Sequence, residues 1–476
     1  MISRLPPPLS RNGWRPGLRA AWLWLALPLL WLPQLSGQTN FVTLVTNGPA
    51  ANRLNIVFLS EGYTTNQLGT FLTDATNAAN VFLANEPFAE YAAYLNFFAI
   101  AVPSAQSGSD HPTWAQFVTT YFNSTFGSSD RIMSIPPNAY DADSNHGQGK
   151  VDALLKTFMP SNNLAILLVN DPNLGGSDGG GKTAIVAVSL FMGDFLLHES
   201  GHVLAGLGDE YTELNPGYPD IEEPNTTRQT NRAAIKWNAW ISTNTPVPTP
   251  TTYDSAVGLF EGAHYHPIGW YRPKLNCRMN SPFYSSFCEV CSEALVLSTY
   301  RKVRPIDSFM PVATNFSVTA TGALSFTLTA LQPASHALAI QWLTNGVSVP
   351  YATNLVFPVL PAALSNGAYN KVAARILDPT ALVRTDPSNL LSQTLTWTLN
   401  VNLPQLQLSA PRWLAGGKFA LHVTGVAPQG FSIRASTNLL TWLSVSTNAL
   451  VNGQYDYTNT QGTNFPIRFF RAVTPP

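Results

Sequence analysis

FMGDFLLHESGHVLAGLGDEY, residues 191–211, is the stretch on which the reading of the chain turns. Its pattern predicts a helix through about Ala205, ended at Gly206, where a left-handed cap costs little. His198-Glu199-Ser200-Gly201-His202 inside it is an H-E-x-x-H motif. Helix residues four apart lie about 40° apart around the axis, so both imidazoles face one side and can share a metal ion. Glu199 sits next to that face, placed to take a proton from activated water. Neutral imidazoles, a carboxylate and one open position suit Zn²⁺. Two ligands are too few. After Gly206 the chain offers Asp209 and Glu210, and a glycine turn can swing it back under the metal. Asp209 is the expected third ligand, because its short side chain suits a tight turn. Glu210 would have to fold back on itself and is expected to play a supporting role.

Working outward, residues 55–189 read as α/β. Short apolar strands at 55–60, 95–102, 164–170 and 183–189 alternate with helix-like stretches at 65–83 and 150–158. The last strand, TAIVAVS, reads as an edge that could take up an extended substrate by strand addition. After residues 301–307 the pattern changes to alternating strands and turns. LSFTLTAL, LAIQWLTNG and AYNKVAARILD suggest an Ig-like β-sandwich with Trp342 in its core, and a second break near 400–406 opens a further short-strand unit.

Residues 261–295 gather His264, Tyr265, His266, Tyr271, Met279, Tyr284 and all three cysteines, Cys277, Cys288 and Cys291. Met279 could floor the metal site. One of the three tyrosines could donate to a developing oxyanion. Cys277 could form a disulfide with Cys288 or Cys291, leaving one thiol over. A rival is a structural zinc on the three cysteines plus His264 or His266. Residues 141–152 resemble the start of a calcium loop, with glycine one place late and Asp in place of the closing Glu. Asp110 and His111 read as a capped turn or a polar pair near the cleft.

NIVFLSEGYT, NEPFAEYAAYLNFFAIAVPSAQSGSDHP, HESGHVLAGLGDEY and GWYRPKLNCRMNSPFYSSFCEVC together resemble the bacterial IgA-peptidase-type metallopeptidases, number sixty-four in the usual classification, over roughly residues 43–304. The resemblance implies a zincin-type, metzincin-like catalytic domain and a zinc endopeptidase. It implies zinc on His198 and His202, Glu199 as general base, and Met279 in the Met-turn. Metzincins place a glycine three residues after the second His and the third ligand six after; here Gly206 and Asp209 stand four and seven after.

The expected organisation is multidomain: a leader at 1–37, an α/β zincin-like metallopeptidase domain at 38–304, an Ig-like sandwich at 305–401 and a small β-module at 402–476. The leader reading rests on Arg4, Arg11, Arg15 and Arg19 followed by an apolar run closed by Ser36 and Gly37, a run too short and too Pro-broken to span a bilayer. The first cysteine is Cys277, so no acylated cysteine follows the leader. The mature protein is expected to be exported, secreted or periplasmic, and free of the membrane. With 26 basic and 27 acidic side chains and no basic stripe, nucleic acid is not an expected partner. The expected partner is a protein or peptide substrate, and the β-modules could hold glycan or a surface partner. All chemical motifs precede Arg304, so residues 38–304 are expected to fold and cut alone. Two other readings stand beside the peptidase: an exported binding protein that no longer cuts, and a zinc amidase acting on cell-wall material.

Overall fold

Runs such as NIVFLS and LAILLV are apolar along their whole length, which strands sustain only when both faces of their sheet are covered. The computed structural model, which describes residues 39–283, 285–320, 322–426 and 430–473, shows that arrangement. The expected leader at 1–37 and Tyr284 lie outside the described residues. The strands of the first unit are β1 (Asn40–Val45), β2 (Leu54–Glu61), β3 (Leu95–Ala101), the short pair β4 (Thr125–Phe126) and β5 (Met133–Ser134), then β6 (Leu164–Val169), β7 (Gly176–Ser177) and β8 (Thr183–Ala187). Six form one sheet in the order β1-β3-β2-β6-β8-β7. The pairs β2–β3, β2–β6 and β6–β8 are parallel, and the strands at both ends are antiparallel.

Successive strand residues point to opposite faces, so each face has its own core. Ile56 and Phe58 pack with α1 (Leu68–Ala84), α3 (Met192–Ala205) and α4 (Glu289–Lys302), through Phe71, Phe82, Leu196, Leu197 and Leu295 among others. Val57 and Leu59 pack with Val151, Leu154 and Leu155 of α2 (Gly147–Phe158) and with Phe122 and Met133. Truncating a fully buried Phe71 or Phe82 to Ala would cost about 3–5 kcal/mol. Helix α1 starts later than its periodicity suggests. Residues Thr65–Gln67 form a 3₁₀ turn, and Gln67 Oε1 accepts the Thr64 N–H at 2.9 Å.

Two expectations are corrected. TAIVAVS is not an edge: Gly176 and Ser177 pair with Val186 and Ile185, Arg131 O accepts the Gly176 N–H at 3.0 Å, and Ile132 bridges Gly176. The ladder beside the H-E-x-x-H helix is therefore already paired, which removes the strand-addition idea there. The calcium reading of 141–152 also has no support. Asp141 accepts the Asp143 N–H at 2.9 Å and meets His146 Nδ1 at 2.6 Å, and Asp143 accepts the Asn145 N–H at 2.8 Å. From Gly147 onward the stretch is α2, so its later positions cannot wrap an ion.

Beyond residue 305 the described residues form β-strands joined by loops and two short 3₁₀ turns. A three-stranded sheet built on Leu324–Ala330 packs against a five-stranded sheet built on Ala368–Leu377 and Ser392–Val401, with Phe326, Trp342 and Trp397 fully buried between them. Two further three-stranded sheets enclose Val423, Phe431 and Ile433. The sandwich is joined to the first unit by buried polar groups. Tyr91 and Tyr300 donate to Asp378 Oδ2 at 2.7 and 2.6 Å, His336 lies between Asp378 and Glu90, and Arg53 pairs with Asp307 at 2.7 Å. This bears on the expected independence of 38–304, since a chain ending there leaves the Tyr91 and Tyr300 hydroxyls without that carboxylate. Among the described residues no helix is long and apolar enough to cross a membrane.

Candidate active site

Helix α3 ends as its sequence says. Gly206 takes φ 63°, a left-handed value that any side chain would strain, and its N–H returns to His202 O at 2.8 Å. The chain then doubles back. Asn225 clamps Gly208 from both sides, donating to its carbonyl at 2.9 Å and accepting its N–H at 2.7 Å. Asp209 O accepts the His264 N–H at 3.0 Å, and the Glu210 N–H donates to Met279 O at 2.9 Å. This strung segment sets the side chains of two adjacent acids in different places.

Asp209 comes to the histidines. Its Oδ1 lies 3.1 Å from His198 Nε2 and 3.4 Å from His202 Nε2, and the two Nε2 atoms are 3.2 Å apart. Each imidazole is oriented from behind: His198 Nδ1 donates to Arg278 O at 2.9 Å and His202 Nδ1 to Leu207 O at 2.6 Å. With Nδ1–H committed to a carbonyl, a neutral imidazole turns a lone pair outward at Nε2. Three acceptor atoms thus face one point, and Asp209 Oδ1 receives no well-directed hydrogen bond although it is buried. Such a set repels itself unless a cation sits among the three atoms. The residues fit a metal ion on that ground.

The electrostatics agree. Burial alone would lower both imidazoles, but Asp209 and Glu199 outweigh it and raise them, His202 to about 10. Burial alone would raise the Asp209 carboxyl, yet His202 and His198 hold it well below the usual range. The same field that favours a proton on these rings favours a divalent cation between them. Burial dominates at Glu199, whose pKa is pushed up to about 7, near the value that suits a proton-transfer group at neutral pH.

The site opens into a cleft of about 640 Å³ lined by Gly176, Asp178, Phe195, Glu199, Tyr211 and Phe283 among others. A Cβ on Gly176 would come within 2.9 Å of Glu199 Oε1, so glycine lets the rim approach the carboxylate. Met279 is fully buried, and its sulfur packs against the helix at Gly201, 3.2 Å from where a Cβ there would stand. Of the candidate tyrosines, Tyr265 is spoken for, donating to Asp209 Oδ2 at 2.5 Å. Tyr271 pairs with Thr227 in the β9 (Phe260–Ala263) and β10 (His266–Arg272) region. Tyr211, which carried no role in the sequence reading, places its hydroxyl 3.5 Å from His198 Nε2. Its position straight after Asp209-Glu210 was the available signal.

Other candidates lie elsewhere. Asp110 Oδ1 accepts the Val118 N–H at 2.7 Å, a capped turn, and His111 is buried against Asp171 at 3.0 Å. His264 bonds Glu223 and Pro219 O and stacks on Trp270, while His266 bonds His264 O. Neither is the fourth partner of the cysteines. Glu210 takes that place, with Cys277, Cys288 and Cys291 around it.

Comparison with curated proteins gives no match. Among solved structures, the Clostridium thermocellum CbhA fibronectin(III)-like modules are 7% identical over 32% of this chain and 77% of theirs, with a TM-score of 0.15. A structure of titin domains is 12% identical over 34% of this chain and 55% of its own, with a TM-score of 0.14. Scores this low establish no shared architecture. A family model gives a different result: the one described as IgA Peptidase M64 matches residues 42–255 and 251–298, more than half of the chain and all of the site described above. The chain belongs to the IgA peptidase M64 family.

Proposed function

We propose that this peptidase-family protein is an exported zinc metalloendopeptidase. One observation carries the reading: His198 Nε2, His202 Nε2 and Asp209 Oδ1 converge within 3.4 Å in an open cleft, with Glu199 beside them. Two imidazoles and one carboxylate, with room for a fourth partner, are the donor set of a catalytic zinc. Zinc held there supplies Lewis acidity that polarises a scissile carbonyl and acidifies water. Glu199 takes the proton of the attacking water on its carboxylate and returns it to the leaving amine nitrogen. The carbonyls of Arg278 and Leu207 fix both imidazoles in the tautomer that leaves Nε2 free. Tyr211 is the donor best placed to meet the oxyanion, since Tyr265 is engaged in orienting Asp209. The Phe195 and Phe283 rings, edge to face at 5.6 Å, give the cleft an apolar wall that favours an apolar substrate side chain.

The leader read at 1–37 supports export, the core of the first unit supports a zincin-like domain, and the packed sheets beyond it support an Ig-like sandwich and a small β-module. The test is zinc content together with cleavage of a denatured protein, with and without chelator. Cleavage is expected to stop with chelator and to return with Zn²⁺. Cleavage that ignores the chelator would overturn the reading. A peptide library read by mass spectrometry then gives the preference.

A further inference from the structure

Behind the cleft lies a second group of ligating side chains that the hydrolytic reaction does not use. Cys288 caps α4 and Cys291 follows in its first turn, a C-x₂-C pair at a helix N-terminus. Cys277 lies on the turn that leads to Met279, and Glu210 arrives from the segment after α3. All four side chains are buried, Glu210, Cys277 and Cys291 completely. Their donor atoms lie within 4.8 Å of one another.

We propose that Glu210, Cys277, Cys288 and Cys291 form a closed structural zinc site. A tetrahedral zinc with Zn–S of about 2.3 Å sets two sulfurs about 3.8 Å apart, and a sulfur and a carboxylate oxygen about 3.6 Å apart. Cys277 Sγ and Cys291 Sγ are 3.6 Å apart, and Cys291 Sγ is 3.7 Å from Glu210 Oε1. The three sulfurs are free of disulfides. A disulfide would use two of them and leave a third thiol buried beside a carboxylate.

The carboxylate is the second observation. Glu210 Oε1 accepts from Asn225 at 2.9 Å, but Oε2 is buried with no hydrogen-bond partner. The Arg272 guanidinium lends its charge from nearby but donates to the backbone carbonyl of Glu210, at 3.3 Å, and not to the carboxylate. A buried carboxylate left this way is costly, and a cation among the four donors removes the cost. Soft sulfur donors, a donor count of four and no open position select zinc in a structural role. The Cys288 N–H directed at Cys277 Sγ at 3.4 Å and the N-terminus of α4 both favour thiolates. Binding releases the thiol protons to solvent and involves no redox step.

The ion would join three segments that build the cleft. One carries Asp209, one carries Met279 and the Arg278 carbonyl that orients His198, and the third is the start of α4. This zinc is separate from the one proposed at the histidines, and the test keeps them apart. Metal is counted per chain by plasma mass spectrometry in the full-length protein and in the His202→Ala and His198→Ala variants, with folding checked by circular dichroism. Two zinc ions are expected in the unaltered chain and one in each folded variant. Cobalt loaded into His202→Ala is expected to show thiolate-to-metal charge transfer. After denaturation with chelator and no reductant, all three cysteines are expected to be alkylated. A folded His202→Ala chain with no zinc, or a denatured chain that takes a single alkyl group, overturns the site. One zinc in the unaltered chain that survives His202→Ala supports it and counts against the catalytic zinc instead.

Discussion

Asp209 and Glu210 are neighbours in sequence, both buried carboxylates, and they serve two unlike clusters. Asp209 joins two imidazoles at the bottom of a cleft, leaving one side open to a substrate. Glu210 joins three sulfurs in the buried interior. Consecutive residues of an extended segment point in opposite directions, so one short stretch, pinned by Asn225, His264 and Met279 O, serves both. The difference teaches how an active centre is kept rigid. The open cluster needs an unfilled position to do chemistry and so cannot be closed by its own ligands. The closed cluster, one residue away, can hold the backbone that the open one depends on.

The sharpest test of this division is Glu199→Gln, which touches the chemistry and neither donor set. Turnover is expected to fall at least ~100-fold, the scale of a lost general base, while metal content and unfolding temperature stay unchanged. Near-normal turnover with metal bound would remove Glu199 from the mechanism.

Exchanging the fates of the two acids comes next. Asp209→Ala is expected to lose the cleft metal and, with it, measurable peptide cleavage, while the cysteine cluster keeps its ion. Glu210→Gln is expected to do the reverse. It should keep the cleft metal and most activity, yet lower the unfolding temperature by at least ~2–4 °C, the shift that about 1 kcal/mol gives in a unit of this size. Metal analysis of the two variants side by side decides the matter, and cleft metal lost from Glu210→Gln but kept by Asp209→Ala would reverse the assignment.

The open cluster was legible in the sequence and the closed one only in part, for a physical reason. The helix period puts His198 and His202 on one face, and Gly206 announces the turn that returns Asp209; all of this lies within a dozen residues. The cysteine cluster depends on Glu210 meeting residues some 70 to 80 positions away, which no local period encodes. His264 and His266 looked the better fourth donor because they are close in sequence, but Trp270, Glu223 and backbone carbonyls hold them elsewhere. The strand Gly176–Ser177 was missed because two residues in a glycine-rich stretch carry no alternation to read. The sheet core, by contrast, was plain from unbroken apolar runs.

A smaller effect is expected from the group that orients Asp209 without touching a metal. Tyr265→Phe removes the hydrogen bond to Asp209 Oδ2. Outer partners of metal ligands are typically worth about 10–100-fold in affinity or activity, so zinc affinity of the cleft should fall within that range. Competition with a chromophoric chelator measures it. No change would mean that the backbone clamp at Gly208 alone holds Asp209.

The smallest effect on chemistry is expected where the network serves neither cluster. Asp378 accepts from Tyr91 and Tyr300 across the junction with the sandwich, and it is almost wholly buried. Removing one partner of a buried hydrogen bond leaves the other unsatisfied, at about 1–3 kcal/mol. Asp378→Ala takes the acceptor from the Tyr91 hydroxyl, leaves the Tyr300 hydroxyl only its contact with Tyr94 at 3.1 Å, and deprives His336 of its contact at 2.5 Å. Urea unfolding should therefore show a loss of at least that size, while kcat on a short peptide stays close to that of the unaltered chain. Tyr300 gives the reason to look for a coupling: it lies on α4, whose first turn carries Cys291. If the closed cluster holds that end of the helix firmly, loosening the other end at Asp378 leaves the cleft unmoved. A fall in kcat alongside the stability loss would mean that α4 transmits the disturbance, and that the sandwich, rather than the cysteine cluster, keeps the active centre in place.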